Sequence, residues 1–129
     1  MSHTVEITSG NFEATIDKPG IVLLDWWAGW CGPCRAFAPV FEASAAQHQD
    51  VLFGKVDTET QGALAAAFEL KSIPTLMIFR DGVLIFAQPG MLPAAALESL
   101  IAKAQALDMS LVRAELAKSE QSPSAAASL

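Results

Sequence analysis

The sequence predicts an α/β fold: a central mixed five-stranded sheet flanked by four helices, then a short C-terminal helical extension and a flexible tail. Three observations carry this expectation. Apolar runs alternate with clusters of Gly, Pro, Ser and Asn between Thr4 and Leu107, in a strand, helix, strand rhythm. Ile21 to Trp27 is apolar on both alternating faces, as a strand covered on two sides must be, so it takes the middle of the sheet. Asp81 and Gly82 stand between two β-prone runs as a tight-turn pair, which makes the last two strands an antiparallel hairpin.

Each element follows from its own residues. Thr4 to Ile7 is a short strand, and Ser9 and Asn11 are capping types ahead of a brief amphipathic helix, Phe12 to Asp17, closed by Pro19 and Gly20. After the central strand, Pro33 falls in the first turn of a helix, where its missing N–H costs nothing. That helix runs to about His48, with Pro39 expected to kink it. Val51 to Val56 is a third strand, Gln61 to Leu70 an Ala-rich helix, Thr75 to Arg80 a fourth strand and Val83 to Gln88 a fifth. Pro93 opens a helix to about Leu107, in which Leu97, Leu100, Ile101 and Ala104 form one apolar stripe. Met109, Leu111, Val112 and Leu116 allow one more short helix with Asp108 as N-cap. Ser119 to Leu129 has nothing to bury and reads as a mobile tail. The expected organisation is one domain over residues 1–107 and an extension over 108–129.

Composition narrows the function. The 129 residues are enough for one core, and 52% of them are apolar, too many for a chain disordered throughout. Eight basic against fourteen acidic residues give a net charge of −6, which argues against a nucleic-acid partner, because phosphate affinity comes from Lys and Arg. Met1 to Phe12 shows neither a cationic stretch nor an apolar one, so no export signal is expected and a cytoplasmic location is. Apolar runs such as Ile73 to Phe79 are far below the roughly 18 to 20 residues that a bilayer crossing needs, so no membrane association is expected.

The two cysteines, Cys31 and Cys34, are the most informative pair in the chain. Zinc would need four ligands, and the remaining soft candidates, His3 and His48, lack finger spacing. Covalent haem would need His after the second Cys, where Arg35 stands. No metal or other cofactor is therefore expected. As a structural staple, a four-residue loop removes only about 2 kcal/mol of unfolded-state entropy, against about 4.7 for a 100-residue loop. A reversible dithiol fits better. Cys31 just before a helix start receives unpaired N–H groups and the positive end of the helix dipole, which favours its thiolate. Cys34, one turn in, is more shielded, so Cys31 is expected to attack a substrate disulfide and Cys34 to resolve the mixed disulfide. Asp25 interrupts the covered central strand, where lost hydration should raise its pKa and suit it to accept a proton.

Trp30, Cys31, Gly32, Pro33 and Cys34 resemble the active-site signature of the thioredoxin family. The resemblance extends through Asp25 to Ala28, Ile73 to Thr75, Gly82 and Gly90, over about residues 4–107. It implies a thioredoxin fold, a cis Pro74 peptide opposite the cysteines, and disulfide-containing proteins as substrates. A thioredoxin reductase would be the electron donor, placing the chain in electron transport and cell redox homeostasis, as a monomer. It also implies that Asp25 deprotonates Cys34, with Lys55 on the neighbouring strand as its charge partner. Trp30, Gly32, Pro33, Ile73, Pro74, Gly90 and Met91 would form an apolar collar for an extended substrate strand. The chain departs from the family at Gly29, which replaces a larger residue, at Pro89, and in the segment from Asp108 onward. The expected activity is thiol–disulfide exchange that reduces protein disulfides. Its rivals are an oxidase or isomerase of the same fold, and a binding module that uses the collar and the C-terminal helix without turnover.

Overall fold

The computed structural model describes residues 2–121. In chain order the elements are β1 (Val5–Glu6), α1 (Phe12–Ile16), β2 (Ile21–Trp27), α2 (Gly32–Gln47), β3 (Leu52–Asp57), α3 (Gly62–Ala67), β4 (Thr75–Arg80), β5 (Val83–Pro89), α4 (Ala94–Ala106) and α5 (Met109–Gln121). The sheet order is β1-β3-β2-β4-β5, so the strand that is apolar on both faces lies in the middle. β3 runs parallel to both β1 and β2, whereas β4 is antiparallel to β2 and to β5. The mixed sheet is as the sequence predicts. Asp81 and Gly82 take φ values of 52° and 82°, the pair of positive φ angles that a tight β4–β5 hairpin needs.

Strand alternation sends side chains into two cores. Leu23, Phe53, Leu76 and Ile78 face α2 and α4 and pack with Phe37, Phe41, Leu97 and Ile101. Val22, Leu24, Trp26, Met77 and Phe79 face the other way, onto Ile16 of α1 and onto Phe12, Leu64 and Phe68. Parity places Asp25 on the α2 and α4 side of the sheet. Gly54 allows β1 to lie close, since a Cβ there would meet Ile7 Cγ1 at 2.6 Å and Leu24 Cδ2 at 2.9 Å.

Several boundaries differ from expectation for identifiable reasons. α3 stops at Ala67, not Leu70, because Glu69 adopts a left-handed φ of 50°. The Glu69 and Leu70 N–H groups then turn back to the carbonyls of Ala66 and Ala65, both at 3.0 Å. No Gly or Asn announces this stop. β3 starts one residue late because the Val51 N–H donates to the His48 carbonyl at 3.1 Å, closing a turn. β1 is only two residues long. α2 continues through Pro39 to Gln47.

Asp108 caps α5, its carboxylate accepting from the Ser110 N–H at 3.0 Å and the Ser110 hydroxyl at 2.6 Å. Ser119 to Gln121, expected as tail, are helical, and residues 122–129 of that segment lie outside the described residues. Met109 is buried at the base of α5, whereas Leu111 and Leu116 are exposed. Among the described residues, no helix is long and apolar enough to cross a membrane.

Candidate active site

β2 delivers the chain through Ala28, Gly29 and Trp30 to Cys31, which is the N-cap of α2 with an extended backbone (φ −86°, ψ 114°). Its carbonyl accepts the Arg35 N–H at 3.2 Å, while its Sγ accepts the Cys34 N–H at 3.2 Å. A sulfur thus occupies the position that a Ser or Asp oxygen takes at an ordinary N-cap. Gly32 and Pro33 fill the first two helical positions, so Cys34 follows within the first turn. The two cysteines are joined as a disulfide with Cα atoms 5.2 Å apart.

Both cysteines are buried in this oxidised form, at 4% and 2% exposure, so the shielding expected of Cys34 alone applies to both. What separates them is the groove of about 540 Å³ at the helix start, which Cys31 lines and Cys34 does not. Trp30, Gly32, Pro33 and Ile73 line it too, as the sequence reading expected. Thr58, Ala65, Leu70, Lys71 and Ser72 also line it, and sequence reasoning missed all five. They come from the loop after β3, from α3 and from the segment before β4. Only the sheet crossover brings Thr58, Ala65 and Leu70 beside the cysteines, so no local pattern marks them, whereas Lys71 and Ser72 directly precede Ile73 and could have been read from it.

The Ile73–Pro74 peptide is cis. The Ile73 carbonyl oxygen lies 3.8 Å from Cys31 Sγ, and the Pro74 carbonyl accepts the Gly90 N–H at 2.8 Å. Pro74 is buried beneath the surface, while Gly90 and Met91 are exposed; none of the three lines the groove. Among the described residues the Ile73 N–H has no hydrogen-bond partner. Trp30 is 69% exposed, and its indole N–H donates to the Glu59 carboxylate. Glu59 is in turn placed by its own N–H, which donates to Asp57 Oδ1 at 3.0 Å. A Cβ on Gly29 would meet no atom within 4 Å, so that family departure leaves open space beside the site.

Asp25 is fully buried and neither carboxylate oxygen has a hydrogen-bond partner among the described residues. Burial raises its pKa from the ordinary 3.8 to about 6, with Lys55 pulling in the opposite direction. Lys55 is the register partner of Asp25 on β3. Among the described residues it forms no ion pair within 4 Å, and it lays its ammonium 4.9 Å from the Trp27 ring centroid. Its influence on Asp25 is therefore a field and not a contact. Of the other titratable candidates, His48 bonds Glu98 at 2.5 Å across the α2–α4 interface, and the His3 backbone is tied to Glu42 at 2.5 Å.

This arrangement makes and breaks one disulfide at the mouth of an apolar groove, and comparison with known proteins agrees. The family model described as Thioredoxin matches residues 3–103. A putative thioredoxin 2 from Streptomyces coelicolor is 52% identical over 120 residues, covering 93% of this chain and 90% of that protein. Thioredoxin 1 from Synechococcus elongatus is 39% identical over 105 residues, covering 80% and 98%. Among solved structures, a thioredoxin variant from Halobacterium salinarum superposes with a TM-score of 0.75 at 31% identity, over 81% of this chain and 93% of that one. Thioredoxin from Malassezia sympodialis gives 0.73 at 28% identity, over 82% and 94%. A sulfur-capped helix start, a cis proline facing it and matches along most of the chain lead to one conclusion: this chain belongs to the thioredoxin family, and its chemistry is thiol–disulfide exchange that reduces protein disulfides.

Proposed function

We propose that Cys31 is the attacking thiolate and Cys34 the resolving thiol. The supporting observation is the asymmetry at α2: Cys31 Sγ takes the Cys34 N–H and lines the groove, whereas Cys34 does neither. In the reduced protein that N–H and the helix dipole stabilise negative charge on Cys31. Its thiolate attacks one substrate sulfur, forming a Cys31–substrate disulfide and expelling the other substrate sulfur as a thiolate, which takes a proton. Cys34, deprotonated, then attacks Cys31 Sγ and releases the second substrate thiol. Two electrons pass to the substrate and the protein is left as the Cys31–Cys34 disulfide. Asp25 accepts the Cys34 proton in this scheme, for which a carboxyl with a pKa of about 6 is suited near neutral pH. Lys55 tunes that carboxyl through its field.

The substrate lies along Trp30, Gly32, Pro33 and Ile73, with Pro74 and Gly90 fixing the Ile73 backbone, whose N–H is unpaired among the described residues. An extended segment can bond there by main-chain pairing. Thioredoxins in general are recharged by a thioredoxin reductase, and we assign that donor to this chain, working as a monomeric electron carrier in the cytoplasm. No bound metal or nucleotide enters the cycle.

Trapping tests the roles. Cys34→Ser should accumulate mixed disulfides with substrate proteins on non-reducing gels and Cys31→Ser should accumulate none; equal trapping by both rejects the assignment. Equilibration with glutathione buffers tests direction, since a reductant must have a potential below about −240 mV, and a higher value favours the oxidase or isomerase rival.

A further inference from the structure

We infer that Lys71 makes this groove selective for substrate segments that carry Asp or Glu beside the reactive cystine. The inference rests on the groove being the substrate site proposed above. Lys71 is the one charged residue among those lining the groove; the rest are apolar or neutral, and include Trp30, Pro33, Leu70 and Ile73. It is exposed, and among the described residues it has neither an ion-pair nor a hydrogen-bond partner. Among the described residues nothing occupies its ammonium. Other charges belong to the same region: Glu69, two residues earlier, is exposed with no side-chain partner among the described residues, whereas Arg35 and Glu59 are hydrogen-bonded. Arg35 donates to the Gly29 carbonyl at 2.9 Å, and the Glu59 carboxylate accepts the Trp30 indole N–H.

A chain of net charge −6 repels acidic segments at long range, so a substrate with a carboxylate gains only where a local cation offsets that field. Lys71 stands two residues before Ile73, the backbone position offered to an extended partner. A carboxylate on that partner can reach the ammonium while its cystine reaches Cys31. Because Lys71 is exposed, the pair is screened by solvent, and the discrimination it gives is modest and salt-dependent. A basic segment meets the same ammonium as a like charge and is disfavoured.

The test uses the full chain, reduced and recycled chemically, and three cystine peptides that differ only in having Asp, Gln or Lys two residues from the reactive sulfur. The readout is the ratio of kcat/KM for the Asp peptide to that for the Lys peptide. In the unaltered protein this ratio should be about 5 at low ionic strength and fall toward 1 in high salt. Lys71→Gln should bring it near 1 at low salt, and Lys71→Glu should invert it, with the changes in KM and not kcat. Lys18→Gln removes the same formal charge beside the opposite end of β2, and should leave the ratio unchanged. A ratio that persists in Lys71→Gln, or that falls equally in Lys18→Gln, overturns the inference while turnover of the Gln peptide leaves the reductase reading standing. If the unaltered protein fails to reduce even the Gln peptide, the groove is not the substrate site and both readings fall.

Discussion

The two ends of β2 treat polar groups in opposite ways. At the start, the Gly20 N–H donates to Asp81 Oδ1 at 2.7 Å and the Asp81 N–H returns to the Gly20 carbonyl at 2.9 Å. Next to them Arg80 Nη1 gathers the carbonyls of Ala104 at 2.7 Å and Leu107 at 2.6 Å, which closes the C-terminal end of α4. At the other end, both Asp25 oxygens and the indole N–H groups of Trp26 and Trp27 are buried without partners among the described residues. One end is satisfied and the other is left wanting. The difference shows where stability has been given up: a proton acceptor must keep its acceptor sites free and its charge poorly solvated, which a structural carboxylate such as Asp81 need not do.

The largest test of this contrast is chemical. Cys31→Ser should reduce disulfide turnover by at least about 10³-fold, because no second thiol is among the described residues lining the groove, with little change in the fold. Stability tests come next, and they should have opposite signs at the two ends. With a pKa of about 6 in place of 3.8, and 1.36 kcal/mol per pKa unit, ionising Asp25 costs the folded state about 3 kcal/mol. The folded protein holds this proton more tightly than the unfolded chain. Stability therefore falls as pH rises from 3.8 to about 6 and is flat above that, as far as this group is concerned. Asp25→Asn should accordingly raise the unfolding free energy by about 2 to 3 kcal/mol at pH ~8 and by almost nothing near pH ~4, in denaturant titrations. The same variant should slow resolution of the mixed disulfide and remove an inflection near pH ~6 from its rate. At the satisfied end, Arg80→Met should cost about 2 kcal/mol with turnover unchanged, since it strips the carbonyls at the end of α4 of a charged donor. The smallest effect belongs to α5. Asp108→Ala should lower helical content by circular dichroism while leaving the denaturant midpoint and disulfide reduction where they were. A drop in the midpoint would mean that α5 supports the core more than its exposed Leu111 and Leu116 indicate.

The sheet was legible because its signals are local. β2 and β4 fall at Ile21–Trp27 and Thr75–Arg80, as read, since each is a mainly apolar run, broken in β2 by Asp25 alone, with breakers near its ends. The Asp81-Gly82 pair carries its turn in its own backbone preferences. The cysteine pair, the helix start and the buried Asp25 were likewise visible, because each depends on neighbours within a few positions. The rest of the groove was not. Thr58, Ala65 and Leu70 meet Cys31 only through the β3 crossover, and Glu69 ends α3 in a left-handed conformation that its side chain does not advertise. Nor did the chain reveal that Lys55 would stack on Trp27 instead of touching Asp25, because both options satisfy the same register.

Gly29 and Gly54 differ in a way that bears on how this protein can diversify. Gly54 has no room for a methyl group, so drift at that position is closed. Gly29, next to Trp30, would place a Cβ within 4 Å of no described atom, and a lineage can add side chains there without disturbing either core. The entrance can therefore be reshaped one substitution at a time while the thiols and the sheet beneath them stay as they are, so the molecule can acquire new clients without relearning how to fold.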